Sequence, residues 1–284
     1  MCTNISFSPN CTVGTFELVA YSPVFLVGFL VNVAALRAFI SKWKLWTNTH
    51  IYMLNLAIAD FILILSLPFR IYDTFFCLPV NSLCTFLMNL HFINMYASIM
   101  TTTAISVHRY VVIKFPLHVR SWRRRKETAV AVCQIFWILL VTLAVVFREE
   151  NSPEKLWTCY ERRKCFSLSL KFVLLLVLCG FFIPLLIVVF CSSQIIYVML
   201  KRRKRSEEQR SIIGIVTANM IVFLVCYTPL HVAFVVNYFH KFPLDPQRWN
   251  APVHMYLRVS EWIASTNCCF DSISYYFLLK KFYT

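Results

Sequence analysis

The stretch of sequence that decides the fold is CTFLMNLHFINMYASIMTTTAISVHRYVVIKFP, residues 84–116. It is mostly apolar, and it contains no glycine and no proline before its final residue, Pro116. A helix rises about 1.5 Å per residue, so this one is longer than the roughly 30 Å hydrocarbon layer of a membrane. An arginine at the end of such a helix is costly unless it faces protein or water. Arg109 is therefore predicted to be functional.

The composition of the whole chain is typical of a membrane protein. Of its 284 residues 59% are hydrophobic and 14% are charged, and the mean hydropathy is +0.64. A soluble domain usually carries about 25% charged residues. The net charge of +15 would also suit a nucleic-acid-binding protein, but the basic residues lie in short blocks between apolar runs. Such blocks indicate cytoplasmic loops beside anionic membrane lipids, and no nucleic-acid partner is predicted.

Seven apolar runs are each long enough to cross a membrane. They cover about residues 18–40, 51–72, 83–113, 129–147, 168–200, 211–239 and 254–278. If the N-terminus lies outside the cell, the cytoplasmic loops and tail carry 16 of the 28 Lys and Arg residues, in line with the positive-inside bias. The sequence therefore predicts an all-α, multi-pass protein of the plasma membrane, a seven-transmembrane helix bundle with a cytoplasmic C-terminus. Its predicted parts are an extracellular N-terminal segment 1–17, a seven-helix domain 18–278 and the start of a cytoplasmic tail 279–284.

Each run carries polar residues or prolines that a purely lipid-facing helix does not need. These are Asn32, Asp60, Pro68, His108-Arg109-Tyr110, Trp137, Pro184, Cys226-Tyr227-Thr228-Pro229, Asn267-Cys268-Cys269-Phe270-Asp271 and Tyr275-Tyr276. This set, in this order, resembles the rhodopsin-like (class A) G-protein-coupled receptors over essentially the whole chain. Two further features, Asp271-Ser272-Ile273-Ser274-Tyr275 and Phe190-Cys191-Ser192, are similar to the lysophosphatidylinositol and kynurenic-acid receptors of the purinergic and lysophospholipid branch.

The resemblance implies a receptor that converts the binding of an extracellular ligand into activation of a heterotrimeric G protein. It favours the Gα12/13 or Gαi/o families as partners. An enzyme would need a nucleophile with its base, or a metal cluster, and the sequence suggests neither. The alternative is a decoy or scavenger receptor that binds its ligand and couples weakly, because His108 stands where the family usually carries an acid.

The resemblance also implies a sodium site in the middle of the membrane. Its residues are Asp60, Asn94, Ser98, Asn267 and Asp271. Asn94 and Ser98 are four residues apart and share one helix face, as Asn267 and Asp271 do. Two carboxylates in one pocket favour a cation or a shared proton. The alternative is a hydrogen-bonded network without an ion. No other cofactor is predicted.

A second set of residues corresponds to the family's coupling and switch positions. These are His108, Arg109, Tyr110, Phe223, Tyr227, Pro229 and Tyr275. His108 and Gln209 stand where relatives carry acids that restrain the arginine, so neither supplies a negative charge to Arg109. This departure predicts appreciable signalling without ligand. The alternative is that other polar groups hold Arg109 and that basal activity is ordinary.

A third set is predicted to face an outer, ligand-binding cavity. It consists of Arg70, His91, Phe92, Tyr96, Lys171, Phe234, Tyr238, Arg258 and Glu261. Three cations and a histidine against one acid favour an anionic lipid or small-acid ligand, since arginine pairs well with carboxylate or phosphate. The aromatic residues suit an apolar wall. The alternative is that Arg70 or Arg258 pairs with Glu261 or reaches to the membrane interface.

The extracellular parts carry covalent signals. Asn4 and Asn10 lie in Asn-X-Ser/Thr triplets, which predict glycosylation. The resemblance implies a disulfide from Cys84 to the second outer loop, with Cys159 as the partner and Cys165 as the alternative. The pairing of the remaining outer cysteines, Cys2, Cys11, Cys77 and Cys165, stays open.

Overall fold

The structure, a computed structural model, describes residues 15–41, 47–76, 78–116, 126–162, 168–201, 207–240 and 251–272. Some residues that the sequence singled out lie outside these ranges: Cys2, Asn4, Asn10, Cys11, Cys77, Cys165 and Tyr275. Glycosylation, the alternative disulfide and the role of Tyr275 at the switch therefore stay predictions.

Long helices make up most of the described chain. They are α1 (Thr15–Ser41), α2 (Asn48–Phe76), α3 (Ser82–Lys114), α4 (Lys126–Val146), α5 (Leu170–Lys201), α6 (Glu207–His240) and α7 (Ala251–Ser265). The first six are long and apolar enough to cross a membrane. After α7 a turn at Thr266 leads into further helical residues, 267–272, where the described chain stops. The prediction of an all-α, seven-helix bundle is confirmed.

Polar side chains mark where two of these helices begin. The side chain of Asn81 accepts a hydrogen bond from the backbone N–H of Cys84 at 3.2 Å and so caps α3. Ser169 caps α5 in the same way, accepting from the N–H of Phe172 at 3.4 Å. Both caps satisfy amide groups that have no partner within the first helical turn.

Helix α5 changes its winding part-way along its length. It consists of an α-helical turn, a π-helical segment and a long α-helix: Leu170–Leu174, Leu175–Phe182 and Ile183–Lys201. In the π-helical segment Gly180 faces the ring of Tyr96 on α3. A Cβ atom at position 180 would lie 2.4 Å from Cε1 of that ring, which is closer than carbon atoms approach. The absence of a side chain therefore lets α3 and α5 approach each other at this level.

The connection between α4 and α5 contains a short hairpin that the sequence did not predict. Two 3₁₀ turns lead into two antiparallel strands: Arg148–Asn151, Pro153–Lys155, β1 (Leu156–Thr158) and β2 (Glu161–Arg162). Strands of this length are too short for an alternating pattern to reveal them. The turn between the strands holds Cys159, which forms a disulfide with Cys84 at the start of α3; their Cα atoms are 5.3 Å apart. The disulfide pairing that the resemblance implied is confirmed.

Helix α3 lies in the middle of the bundle and packs against α2, α4 and α5. A chain of hydrogen bonds joins three of these helices. Nε1 of Trp137 on α4 donates to Asn55 on α2 at 2.8 Å, and the Asn55 amide donates to Thr101 on α3 at 3.0 Å. Such contacts hold helices together in lipid, where apolar side chains gain little from mutual burial. We refer below to the disulfide end of the bundle, which carries Cys84, and to the Arg109 end opposite it.

Candidate functional site

A small cavity, the Arg70 cavity, lies near the disulfide end, where α2, α3, α6 and α7 meet below the hairpin. Its volume is about 20 Å³. It is lined by Arg70, Met88, His91, Phe92, Met95, Tyr160, Leu230, Phe234 and Glu261. Of the residues predicted to face a ligand, the structure thus brings five together here: Arg70, His91, Phe92, Phe234 and Glu261.

Arg70 is enclosed on several sides. Its guanidinium forms an ion pair with the carboxylate of Glu261 on α7. It also lies 4.7 Å from the ring centroid of Tyr21 on α1 and 5.0 Å from that of Tyr160 in the hairpin turn. Both distances fall in the cation–π range. Burial raises the pKa of the Tyr160 phenol to about 12, so this ring stays neutral beside the guanidinium.

Arg258, the second predicted ligand cation, also has an acidic partner. It forms an ion pair with Glu17 of α1, and its guanidinium lies 5.8 Å from the ring centroid of Phe16. The sequence analysis considered only Glu261 as an acidic partner for the two arginines. In the structure each arginine has its own carboxylate, so the excess of positive charge expected from the sequence is largely compensated.

The remaining predicted ligand residues lie away from the Arg70 cavity. Lys171 is exposed in the first turn of α5. Tyr238 packs against the edge of the main hydrophobic core. Tyr96 is buried one turn below Phe92, where its hydroxyl lies 3.1 Å from Nε2 of His231. These positions show that the nine predicted residues do not all face one cavity.

A larger apolar crevice, the α3–α5 crevice, opens beside the Arg70 cavity. Its volume is about 200 Å³. Among its lining residues are Ile93, Met100, Leu140, Leu143, Phe147, Phe172 and Leu176. Phe92 lines both the crevice and the Arg70 cavity. Its ring therefore separates the apolar crevice from the cavity that contains Arg70 and Glu261.

A second small cavity, the Asp60 cavity, lies deeper between α2, α3, α6 and α7. Its volume of about 10 Å³ is roughly the room that one water molecule needs. It is lined by Asp60, Leu63, His91, Asn94, Met95, Ser98, Tyr227, Ala264, Ser265, Asn267 and Cys268. Four of the five predicted sodium residues therefore surround one space. The fifth, Asp271, accepts a hydrogen bond from the side chain of Asn267.

The two oxygens of the Asp60 carboxylate differ in their hydrogen bonds. Ser98 donates to Oδ1 at 3.3 Å, whereas Oδ2 is buried and has no hydrogen-bond partner among the described residues. The Asn94 side chain donates to the backbone oxygen of Ala59. A buried carboxylate oxygen beside a cavity is the chemistry that a small cation or a water molecule satisfies.

An aromatic cluster surrounds the kink in α6 at Pro229. The ring of His231 stacks on Phe181 of α5 with 4.2 Å between centroids, and Phe181 stacks on Phe223 at 6.1 Å. Nδ1 of His231 lies 2.8 Å from the backbone oxygen of Tyr227. In the neutral ring Nδ1–H therefore donates to that carbonyl and Nε2 accepts from Tyr96. Pro229 has no N–H to donate to the carbonyl of Val225, four residues earlier, and the histidine bonds close by, to the carbonyl of Tyr227.

Three of the predicted coupling residues, His108, Arg109 and Tyr110, lie near the end of α3. Nδ1 of His108 is 3.3 Å from the hydroxyl oxygen of Thr49 on α2, and its ring meets that of Tyr52 edge-on at 6.1 Å. Arg109, the next residue, is half-buried. Further along α3, Lys114 donates to the hydroxyl of Tyr110 at 3.0 Å. His108 therefore interacts with residues of α2. An acid at this position would instead interact with Arg109.

The sequence model of the 7 transmembrane receptor (rhodopsin family) matches residues 31–275 of this chain. The chain belongs to this family. The receptor is also 34% identical to G-protein coupled receptor 35 of Mus musculus, a match that covers 98% of this chain and 90% of that receptor. G-protein coupled receptor 55 of Mus musculus is 31% identical, over 94% of this chain and 87% of its own length. Lysophosphatidic acid receptor 6 of Gallus gallus is 31% identical, over 95% of this chain and 94% of its own length.

These similarities confirm the branch of the family to which the sequence pointed. They make the chain a multi-pass signalling receptor of the plasma membrane, in a family whose members signal through heterotrimeric G proteins. They also confirm that the receptor is not an enzyme.

Four residues that lie at the receptor's sites were not predicted from the sequence. Glu17 was assigned to the extracellular segment 1–17 and Tyr21 to the first run, both without a role, although each contacts one of the arginines. Tyr160 directly follows the disulfide cysteine, and this position was its only signal. His231, a histidine in an apolar run two residues after Pro229, was the most visible signal that the analysis overlooked.

Proposed function

We propose that the receptor binds an extracellular anionic amphiphile of the lysophospholipid type, with its headgroup at Arg70. The disulfide end then faces outside, because disulfides persist in an oxidising compartment and the basic loops belong on the cytoplasmic side. Arginine forms strong hydrogen-bonded ion pairs with phosphate. The observation that carries the proposal is that Arg70 lies beside the α3–α5 crevice, whose apolar walls can hold an acyl chain. Two relatives named lysophosphatidic acid receptors, numbers 6 and 4, support this ligand class.

Ligand entry requires the Arg70 cavity to open. A volume of about 20 Å³ is far below the roughly 300 Å³ of small-molecule sites in general. The residues that enclose Arg70, Glu261 on α7 and Tyr160 in the hairpin, therefore move when the headgroup enters. Movement of α7 relative to α2 is a change that the helices can transmit to the Arg109 end.

Two residues of α3 connect the ligand site to the middle of the receptor. His91 and Met95 line both the Arg70 cavity and the Asp60 cavity, so a single layer of side chains separates the two spaces. A shift of α3 at this level changes both cavities together. We propose that this layer couples ligand binding to the Asp60 cavity.

The Asp60 cavity is proposed to hold a sodium ion in the resting receptor. Its donors are oxygens from a carboxylate, a hydroxyl and amides, which suit a hard cation, and the unpartnered Oδ2 of Asp60 supplies the charge. Asp60, Asn94, Ser98 and Asn267 would hold the ion, and Asp271 would orient Asn267. The bound ion would neutralise a carboxylate that is otherwise buried without a counter-charge.

G-protein coupling is tested by nucleotide exchange on a panel of Gα subunits in membranes that contain the receptor. The resemblance favours Gα12/13 or Gαi/o. Arg109→Ala is expected to abolish exchange, because the guanidinium is the group proposed to contact the G protein. Arg37→Ala is the matched control, since Arg37 is an exposed arginine near the cytoplasmic end of α1. If Arg109→Ala and Arg37→Ala behave alike on every subunit, the proposed coupling role of Arg109 is wrong.

A decoy receptor is the second candidate, and His108 favours it. The side chain is engaged by Thr49 and Tyr52 and supplies no negative charge next to Arg109. A decoy would bind lysophosphatidic acid saturably and show no exchange on any Gα subunit, with or without ligand. Exchange above the level of receptor-free membranes would exclude it.

A further inference from the structure

We infer that Glu261 is a built-in competitor of the ligand: its carboxylate occupies Arg70, and an anionic headgroup binds only by displacing it. This inference rests on the proposed function and concerns the selectivity of the same site. It makes Glu261 a residue that weakens ligand binding, although it lines the binding cavity.

The ion pair lies where the headgroup must go. Arg70 and Glu261 both line the Arg70 cavity, and the guanidinium of Arg70 is already joined to the Glu261 carboxylate. A headgroup phosphate added beside this pair would bring a second anion into a buried space with one cation. Burying an uncompensated charge is strongly unfavourable, so the phosphate and the carboxylate exclude each other.

The carboxylate is the partner that leaves. Its side chain is 22% exposed, whereas that of Arg70 is 7% exposed. Arg70 is also held between the rings of Tyr21 and Tyr160, which keep the cation in place without Glu261. Arg258 precedes Glu261 by three residues on α7 and so lies on the same helix face, one turn nearer the disulfide end. A displaced carboxylate can therefore swing toward water, on the side where Arg258 is already paired with Glu17.

The competition selects headgroups by their charge. A monoanionic carboxylate replaces Glu261 with a group of equal charge and gains little electrostatic energy. A phosphomonoester carries about −1.5 to −2 charges at neutral pH and forms stronger, charge-assisted hydrogen bonds with arginine. The site is thus expected to prefer lysophosphatidic acid over a fatty acid of the same chain length, and Glu261 is expected to lower both affinities by the same displacement cost, so that the weaker ligand falls below useful affinity.

The test is saturation binding of labelled lysophosphatidic acid, and of labelled oleate, to the full-length receptor in phosphatidylcholine nanodiscs. Glu261→Gln keeps the size of the side chain and removes its charge. We expect it to raise the affinities for lysophosphatidic acid and for oleate by about the same factor, roughly tenfold, because both ligands displace the same carboxylate and a tenfold change is a typical effect of one lost repulsive charge. Arg70→Gln should abolish saturable binding of both. Glu154→Gln, a carboxylate exposed on the hairpin side, is the control and should change neither affinity.

Thermal unfolding shows whether each variant is folded, because Glu261→Gln leaves a buried cation without its partner. If that variant does not fold, Glu261→Asp retains the charge but shortens the reach to Arg70. It should then raise the affinity for lysophosphatidic acid by a smaller factor.

The possible results separate the inference from the proposed function. If the wild-type receptor binds lysophosphatidic acid and the folded Glu261 variants bind it equally or more weakly, the inference is wrong and the proposed function stands. If Arg70→Gln binds as tightly as wild type, the headgroup lies elsewhere and the inference is also wrong. If neither the wild type nor any folded Glu261 variant binds either amphiphile, both the proposed ligand class and the inference are wrong.

Discussion

At the scale of single residues, the two carboxylate oxygens of Asp60 differ clearly in their hydrogen bonding. One of its oxygens accepts a hydrogen bond from Ser98, and the other faces a water-sized cavity with no partner in the described part of the chain. A bound cation would stabilise the folded receptor by mass action. At a sodium concentration ten times the Kd this amounts to about 1.4 kcal/mol. We therefore expect a higher Tm in sodium chloride than in N-methylglucamine chloride, measured by thermal unfolding of the purified receptor.

The effect of sodium on the Tm should disappear in Asp60→Asn, which removes the charge and keeps the shape. Glu127→Gln is the control: Glu127 is exposed at the start of α4, and its replacement should leave the sodium effect intact. An equal Tm of the wild-type receptor in the two salts would favour the alternative, a hydrogen-bonded network without an ion.

Sequence reasoning reached the Asp60 cavity but not the partners of the arginines, and the difference has a physical reason. Asn94 and Ser98 were named through the resemblance to class A receptors, and helical spacing added that residues four apart share one face. The pair of Glu17 and Arg258 joins residues 241 positions apart, on helices that the sequence does not show to be adjacent. Local periodicity carries no information about such contacts, so the pairing of each arginine with its own carboxylate was not foreseen.

At the scale of single elements, the π-helical segment of α5 depends on Gly180. A methyl group at this position would overlap the ring of Tyr96 and push α3 and α5 apart. We expect Gly180→Ala to destabilise the receptor by about 1–3 kcal/mol, the usual cost of overpacking a well-filled core. Gly214→Ala is the matched control, because a Cβ at position 214 on α6 meets no atom within 4 Å. Thermal unfolding should show a lower Tm for the first variant and an equal or slightly higher Tm for the second.

A tolerated Gly180→Ala substitution, with a Tm equal to that of Gly214→Ala, would mean that the ring of Tyr96 can turn aside at no cost. The sequence offered no signal for this contact. Glycine in a membrane helix is common, and only the position of the neighbouring helix shows that this glycine is needed.

The hairpin is the element that holds Tyr160 over Arg70. The disulfide fixes its turn to the start of α3, and Tyr160 is the next residue after Cys159. We expect Cys84→Ser and Cys159→Ser each to destabilise the receptor by about 2–5 kcal/mol, as the loss of native disulfides does in small domains. Thermal unfolding measures the loss. Cys179→Ser, which replaces an exposed free cysteine, should leave the Tm unchanged, and an equal loss in all three variants would contradict a specific role of the disulfide.

At the scale of the whole molecule, α3 connects every site that has been described. It begins at the disulfide, lines the Arg70 and Asp60 cavities with His91 and Met95, and ends at His108 and Arg109. The sequence predicted this helix with nearly the same bounds, since a long apolar run without proline or glycine until Pro116 leaves few alternatives. The positions of its neighbours, by contrast, depend on packing between helices that are all apolar.

A further prediction concerns the ligand-free (basal) activity of the receptor and the Arg109 end of α3. An acid at position 108 would add a negative charge beside Arg109 and favour the resting state. His108→Asp is therefore expected to lower ligand-free nucleotide exchange by about fivefold or more, a typical size for coupling between two states. The measurement compares receptors at matched surface levels, with Arg37→Ala as the control. Equal exchange in His108→Asp and the wild type would favour the alternative that other polar groups already hold Arg109.

The contacts between the first and the last helix set an order of events during synthesis. Glu17 pairs with Arg258, Trp262 donates to the carbonyl of Ala20, and Asn32 donates to the carbonyl of Cys268. The ribosome produces α1 long before α7, so the Asn32 amide enters the bilayer with only its bond to the carbonyl of Gly28, and Glu17 reaches the membrane surface before Arg258 exists. An unfinished or misassembled chain therefore leaves a polar amide beside lipid and a carboxylate at the membrane surface without their final partners. Such groups are what membrane chaperones and degradation enzymes can detect, and completion of the bundle hides them.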